Sequence, residues 1–186
     1  MYYHASQVPD LRVLTPRLSS HGTPLVYLSC KRENVLVYLC NAIEKHCRES
    51  GFAYRGFYKK WGSYGFNCEG ILQLDEYYPH ATADTYSGVS GYIYEVEHPA
   101  HCRKLADIPY AVTSEEPVTV SACEFVPDAY QALLTASEKG ELLLTRYEDN
   151  SPEKLDWIRK NIVNEYERSA DHPEYRLFLK AKFDFL

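Results

Sequence analysis

The sequence lacks the signatures of several common nucleotide-binding and multidomain proteins. It contains no GxGxxG and no GxxxxGK[ST] motif, so neither the dinucleotide fingerprint nor the P-loop is present. It also has no internal repeat, no low-complexity segment and no stretch that resembles an interdomain linker. A chain of 186 residues is long enough for one domain with a good core and little more. We therefore expect a single domain over residues 1–186.

Long apolar runs and secretory features are missing as well. No stretch is apolar enough to span a bilayer, and Met1–Ala5 carries no basic residues or apolar run. The six cysteines are dispersed, and none forms a CxxC pair. This pattern predicts no membrane partner and a cytoplasmic location, with reduced and mostly buried thiols.

Clusters of basic residues are absent too. The formal net charge is −6, and the longest basic runs are pairs such as Lys31-Arg32 and Lys59-Lys60. Binding to duplex nucleic acid needs a concentrated basic surface, so we do not expect that partner. A nucleotide can still bind, because backbone N–H groups hold phosphates without net positive charge.

Aromatic residues are abundant, with 17 tyrosines in the chain. Tyrosine combines a large apolar ring with a polar tip, which suits both cores and sites that stack flat ligands. Hydrophobic periodicity and turn residues predict an α+β fold. The predicted strands are Met1–His4, Leu25–Leu28, Ala53–Trp61, Gly70–Asp75, Tyr92–Val96 and Pro117–Phe125. The predicted helices are Glu33–Ser50, Asp128–Lys139, one that starts at Ser151-Pro152, and Glu174–Phe183.

Two short segments carry side chains that suit nucleotide binding. His4 is predicted to end the first strand, where its ring could donate to a ribose hydroxyl. Tyr27 lies on the second strand, and Tyr38 follows 11 positions later on the first helix, so the two rings could sandwich a flat heterocycle. Each also has a structural explanation, a capping histidine for His4 and core packing for the tyrosines.

Taken together, the segments Tyr3-His4-Ala5-Ser6 and Val26-Tyr27-Leu28-Ser29, followed by Tyr38, resemble the ADP-ribosyltransferase superfamily. The resemblance is to its histidine–tyrosine–glutamate type, which includes poly-ADP-ribose polymerases and rifampin ADP-ribosyltransferases, and it covers about the first 40 residues. It implies an ADP-ribosylation-like fold with two small, mainly antiparallel sheets flanked by helices. It also implies that NAD is the substrate.

The resemblance assigns a role to each matching residue. His4 matches the family histidine that binds a ribose of NAD, and Ser6 matches the family Ser/Thr. Ala5 falls on a glycine whose backbone pairs with the nicotinamide amide, so its methyl group is a departure. Tyr27 matches the strand tyrosine, and Tyr38 the tyrosine that stacks on nicotinamide.

A second departure concerns the nicotinamide-binding serine of the polymerases. That serine lies three positions before the second tyrosine, and Val35 occupies its place here.

The resemblance also requires a glutamate at the start of a later strand, which stabilises the cationic sugar as nicotinamide departs. Glu116 in Ser114-Glu115-Glu116-Pro117-Val118 is our choice, although it could instead be a solvated carboxylate at a strand end. Its rivals are Glu76, Glu95 and Glu124.

The implied function is NAD-dependent ADP-ribosyl transfer, or NAD glycohydrolysis where water is the acceptor. The catalytic residues would be Glu116, Tyr27 and His4. The acceptor, whether a protein, a nucleic-acid end, a small molecule or water, stays open, and so does catalytic activity itself. The alternative is a non-catalytic nucleotide-binding module on the same fold. His98, His101 and Cys102 are metal-ligand types, but a zinc site would need a distant fourth ligand, and we predict no metal.

Overall fold

The computed structural model describes residues 1–18, 22–59 and 62–186. Over these ranges the chain is a mixed α+β protein with antiparallel sheets and five α-helices, which confirms the predicted α+β class. The strands, β1 to β12 in chain order, are Tyr2–Ser6, Val13–Leu14, Arg17–Leu18, Pro24–Ser29, Gly62–Phe66, Leu72–Glu76, Gly91–Val96, Arg103–Lys104, Ala111–Ser114, Val118–Thr119, Ala122–Val126 and Leu142–Thr145. The helices, α1 to α5, are Ala42–Ser50, Ala81–Tyr86, Ala129–Glu138, Pro152–Arg168 and Pro173–Lys182. Short 3-10 helices cover Glu33–Leu39 and Tyr147–Asp149.

The chain divides into two compact units. Unit 1 comprises Met1–Cys40, Phe66–Leu72 and Tyr86–Leu143. Unit 2 comprises Asn41–Gly65, Gln73–Thr85 and Leu144–Leu186. The prediction of one ADP-ribosyltransferase-like domain over 1–186 stays a prediction, and each unit is described by itself.

Unit 1 is built on a seven-stranded sheet. Its strand order is β11-β7-β1-β4-β9-β8, and β3 also pairs with β4. A separate two-stranded sheet joins β2 to β10. The described residues also include a three-stranded sheet, β12-β6-β5, so the architecture differs from the expected pair of small sheets.

The large sheet has two distinct faces, because successive side chains of a strand point to opposite sides. On one face lies a buried apolar cluster, here called the core cluster, made of Leu14, Val26, Leu28, Tyr94, Val96, Val112 and Val118. The opposite face is covered by the first 3-10 helix. A Cβ added at Gly91 would lie 2.7 Å from Leu39 Cδ2, so that helix packs directly on the backbone of β7. We call this second side the helix-side face.

The predicted helix Glu33–Ser50 is wrong in one respect, because it is two elements. The 3-10 helix ends at Leu39, Cys40 is extended, and α1 begins at Ala42. Asn41 caps α1, since its side chain accepts hydrogen bonds from the N–H groups of Ile43 and Glu44 at 3.1 and 3.5 Å. The predicted C-terminal cap is confirmed, as Gly51 has a φ of 68° and takes the left-handed conformation.

Three strand predictions also need correction. The first strand runs to Ser6, so His4 lies in its middle and not at its end. Residues 53–59 of the predicted strand Ala53–Trp61 form no helix or strand, and its last two residues lie outside the described ranges. The predicted strand Pro117–Phe125 is two strands, Val118–Thr119 and Ala122–Val126, which pair with different partners.

The later helices follow the sequence signals closely. The side chain of Asp128 accepts from Gln131 N at 2.9 Å and caps α3. Ser151 caps α4 in the same way, with Pro152 in the first turn. In unit 2, rings on α5 and just beyond it pack edge-on against Tyr78, with centroid distances of 6.2 Å to Phe178 and 5.6 Å to Phe183.

None of the six cysteines, all of which lie in the described ranges, forms a disulfide, and only Cys40 and Cys47 are buried. The expectation of mostly buried thiols is therefore wrong, since Cys30, Cys68 and Cys123 are exposed. None of the helices in the described part of the chain is both long and apolar enough to cross a membrane.

Candidate functional site

Apart from Glu116, the predicted site residues lie on β1, on β4 and on the 3-10 helix that follows β4, around the junction of β1 and β4, which we call the β1–β4 seam. On its other side β1 pairs with β7 through five residue pairs, from Tyr2–Val96 to Ser6–Tyr92. With β4 it shares the single pair Tyr3–Ser29. Of the two ladders that β1 forms with its neighbours, the one with β4 at the seam is therefore the shorter.

The side chain of His4 adds a hydrogen bond across the seam. Its Nδ1 lies 2.9 Å from the carbonyl oxygen of Tyr27. A carbonyl oxygen can only accept, so Nδ1 carries the proton and the neutral ring presents Nε2 as an acceptor. Sequence reasoning predicted that His4 donates to a ribose hydroxyl, whereas this tautomer would accept a hydrogen bond from one.

The charge state of His4 agrees with that role. Burial lowers the pKa of His4, the hydrogen bond to Tyr27 opposes the shift, and the positive charge of Arg17 lowers it further. An ordinary histidine has a pKa near 6.5, so a lowered value leaves His4 neutral at pH 7.

The alternation of β1 separates the predicted binding residues onto two faces. His4 pairs with Tyr94, a member of the core cluster, and Ser6 points to the same side. Ala5 pairs with Ile93 and points to the helix-side face, where only 7% of its surface is exposed. The ring of His4 thus meets the main chain of Tyr27, while the Tyr27 phenol lies on the opposite side of the sheet.

Tyr27 and Tyr38 both belong to the helix-side part of unit 1. Tyr27 pairs with Thr113 on β9 and directly precedes Leu28 of the core cluster, so the Tyr27 side chain points to the helix-side face. Tyr38 belongs to the 3-10 helix Glu33–Leu39, and 55% of its surface is exposed. Burial of its hydroxyl raises the pKa of Tyr38, and the nearby Tyr27 hydroxyl raises it further. The two hydroxyls are thus close enough for an electrostatic effect, and the Tyr38 side chain is largely accessible.

Two other residues of the same 3-10 helix are buried beneath it. Val35, which replaces the expected serine, is buried with 3% of its surface exposed. Asn34 is buried as well, and neither polar atom of its amide has a hydrogen-bond partner among the described residues. Sequence reasoning did not identify Asn34, because an asparagine early in a predicted helix carries no distinctive signal.

Glu116 is not brought together with the other predicted residues. It lies in an exposed loop between β9 and β10, where its backbone N–H donates to Ser114 Oγ at 3.1 Å. The strand it was expected to begin starts at Val118. Glu116 follows Thr113, the strand partner of Tyr27, by three residues. Three residues of extended chain span about 10 Å, so Glu116 can lie that far from Thr113.

The three rival glutamates occupy different environments. Glu76, in unit 2, is fully buried, and its carboxylate accepts from Thr82 N at 2.9 Å and lies 3.4 Å from Arg146 Nη1. Glu124 lies on the helix-side face and is held by Arg32. Glu95 pairs directly with Tyr3, and Tyr3 pairs in turn with Ser29 across the seam.

Glu95 is therefore the rival nearest the seam on the helix-side face. Its neighbours on β7, Tyr94 and Val96, belong to the core cluster, so its own side chain points the other way. A carboxylate in this position shares a face with both tyrosines.

Metal ligation finds no support in the described ranges, where no group of three or more His, Cys, Asp or Glu side chains could hold an ion. Comparison of the chain with protein-family models, with curated proteins and with solved structures gave no match.

Proposed function

We propose that the β1–β4 seam binds NAD and that the protein transfers its ADP-ribosyl group to an acceptor or to water, on an ADP-ribosylation-like fold. The observation that carries the proposal is the placement of Tyr27 on β4 and Tyr38 on the 3-10 helix that covers the helix-side face, with 55% of the Tyr38 surface exposed. An exposed phenol at this place offers a surface on which a flat nicotinamide ring can stack, and Tyr27 would lie close to it.

His4 supplies the second contact. Its Nδ1 is committed to the Tyr27 carbonyl, so Nε2 is the atom that would accept a hydrogen bond from a ribose hydroxyl. The same hydrogen bond ties His4 to the strand that carries Tyr27, which fixes the ring relative to the tyrosine. Because His4 points to the core-cluster side and the phenols lie on the helix-side face, one NAD molecule would reach both only by passing the end of the short β1–β4 ladder.

The proposed reaction breaks the bond between ribose C1′ and the nicotinamide nitrogen. The electron pair leaves with nicotinamide, and C1′ becomes positively charged in an oxocarbenium-like transition state. An acceptor hydroxyl, or water, then bonds to C1′ and releases a proton to solvent. An ionised carboxylate close to C1′ stabilises the developing charge. Glu116 is the residue implied by the resemblance, and Glu95 is the one that shares the helix-side face.

Incubation of the protein with NAD, followed by measurement of free nicotinamide, tests the proposal. Parallel measurements on Glu116→Gln and Glu95→Gln decide which carboxylate acts, because glutamine keeps the shape and removes the charge. We expect release by the wild type and a fall of about 100-fold or more in one variant, the effect of losing a group that stabilises transition-state charge. Release that survives both substitutions would contradict the assigned mechanism.

A non-catalytic NAD-binding module is the second candidate, and one observation favours it. Glu116 lies in an exposed loop, with no contact to His4 or to either tyrosine among those found in the described ranges. NAD binding without nicotinamide release would establish this module. Absence of binding would rule out both candidates together.

A further inference from the structure

The two outer strands of the seven-stranded sheet differ in how well they are protected from pairing with another chain. At one edge, β8 has only two residues, Arg103 and Lys104, and both are exposed and basic. Short length and positive charge are common ways to prevent a new strand from adding to an edge. At the other edge, β11 runs for five residues, Ala122–Val126, and contains neither lysine nor proline. The β11 edge is therefore the unprotected one.

The side chains of β11 make this edge apolar on one face. Cys123 and Phe125 pair with Tyr94 and Tyr92 and so lie on the core-cluster side. The rings of Phe125 and Tyr92 are 5.3 Å apart, yet 55% of the Phe125 surface is exposed. In the described part of the chain β11 has no partner strand on its outer side, and an exposed phenylalanine beside such a backbone marks a surface that another β-strand can cover.

We infer that this edge pairs with a second copy of the same chain, β11 antiparallel to β11, with the two Glu124 residues opposite each other. Antiparallel partners share a face, so a twofold axis must pass between two identical residues. A twofold axis between the two Glu124 residues pairs all five residues of each strand. Cys123 of each copy then lies opposite Phe125 of the other copy, so the interface contains two Cys–Phe pairs. Centring the axis on Phe125 would instead bring in Pro127, which has no N–H to donate.

Charge also suits this arrangement. Two opposed glutamates would repel each other if they were unpaired. Here Arg32 already binds each Glu124 through two hydrogen bonds, Nε to Oε2 at 2.8 Å and Nη2 to Oε1 at 2.5 Å. Each guanidinium has further N–H groups that can donate to the Glu124 of the second copy. The centre of the interface is thus a neutral set of two arginines and two glutamates.

Sedimentation of the full chain over a wide range of protein concentration tests the inference. We expect the mass to rise with concentration from 21.5 kDa towards twice that value. Phe125→Lys places a charge in both Cys–Phe pairs and should weaken dimerisation at least about tenfold. Trp157→Lys is the matched control, an exposed aromatic residue in unit 2 whose replacement should leave the dimer unchanged.

Disulfide trapping tests the register and does not depend on whether Phe125→Lys folds. In Phe125→Cys, mild oxidation should link Cys123 of one copy to the thiol introduced at position 125 of the other, as located by mass spectrometry. The wild type should not form a Cys123–Cys123 link. A monomer at every concentration, a dimer insensitive to Phe125→Lys, or a wild-type Cys123–Cys123 link would each overturn the proposed pairing. Association only with an unrelated extended peptide would overturn it as well.

Discussion

The two sides of strand β1 (Tyr2–Ser6) are held in different ways. Towards β7 the strand is paired along its whole length, through five residue pairs. Towards β4 it has one residue pair, and a histidine side chain bonds to a backbone carbonyl beyond it. Along a regular ladder the backbone N–H and C=O groups bond to each other. Where the ladder is short, side chains can supply the hydrogen bonds between the strands instead. From this difference we expect substitutions on the β7 side to affect stability more than those on the β4 side, where the proposed binding function lies.

The largest effect we predict is on the β7 side. Ile93, opposite Ala5, is completely buried, so Ile93→Ala should lower the free energy of unfolding by about 2–5 kcal/mol, through lost burial and the cavity left behind. Denaturant titration measures the change. Ile93→Val, as the graded control, should cost about 0.5–1.5 kcal/mol. A loss below that control range in Ile93→Ala would show that the β7 side is not the rigid one.

A smaller effect is expected on the β4 side. His4→Ala removes the hydrogen bond from the ring to the Tyr27 carbonyl, which should cost about 1–2 kcal/mol of unfolding free energy. His4→Asn can place its amide N–H near the position of Nδ1 and should recover part of that loss. Equal stability of all three proteins in denaturant titration would mean that the histidine does not bridge the strands.

The pH dependence of stability sharpens the same comparison. Because burial lowers the pKa of His4 in the folded protein, the unfolded state binds its proton more readily. His4 therefore stabilises the fold above a pH of about 6.5, its unfolded pKa, and this contribution is lost as the pH falls towards the lower folded pKa. His46 also has a pKa lowered by burial, so some acid sensitivity will remain without His4. Wild type should lose more stability than His4→Asn between neutral and mildly acidic pH, and parallel curves would contradict this.

The smallest effect concerns the Arg32–Glu124 pair, which joins the 3-10 helix region to β11. Both side chains are more than a third exposed, so Arg32→Met should cost less than about 1 kcal/mol of unfolding free energy. Added salt should reduce that cost, because exposed charges are screened. Denaturant titrations of dilute protein at low and high salt provide the measurement. A cost that salt does not change would show that the pair acts through packing.

Local sequence signals predicted much of the fold. The caps at Asp128 and Ser151 and the glycine at position 51 fixed helix ends, since capping depends on residues close in the chain. The break between Leu39 and Ala42 was missed, because an apolar helical pattern continues across it and only the Asn41 side chain reveals the new start.

The candidate site was less accessible to prediction. Sequence spacing suggested that Tyr27 and Tyr38 could face one ligand, and this stays a prediction, although the Tyr27 hydroxyl contributes to raising the pKa of Tyr38. Spacing could not reveal that His4 points away from the Tyr27 phenol, because that depends on strand register. The proximity of Glu95 to Tyr3 likewise arises from pairing between strands some 90 residues apart in sequence.

Titration of the protein with NAD, followed by calorimetry, tests the central claim most directly. We predict saturable binding by the wild type and about 5- to 150-fold weaker binding by Tyr38→Ala, since loss of one stacking ring is worth about 1–3 kcal/mol. Tyr58→Ala, which removes a comparably exposed tyrosine from unit 2, should bind like the wild type. No binding by the wild type, or equal binding by Tyr38→Ala, would contradict the proposal that the paired tyrosines form a nicotinamide site.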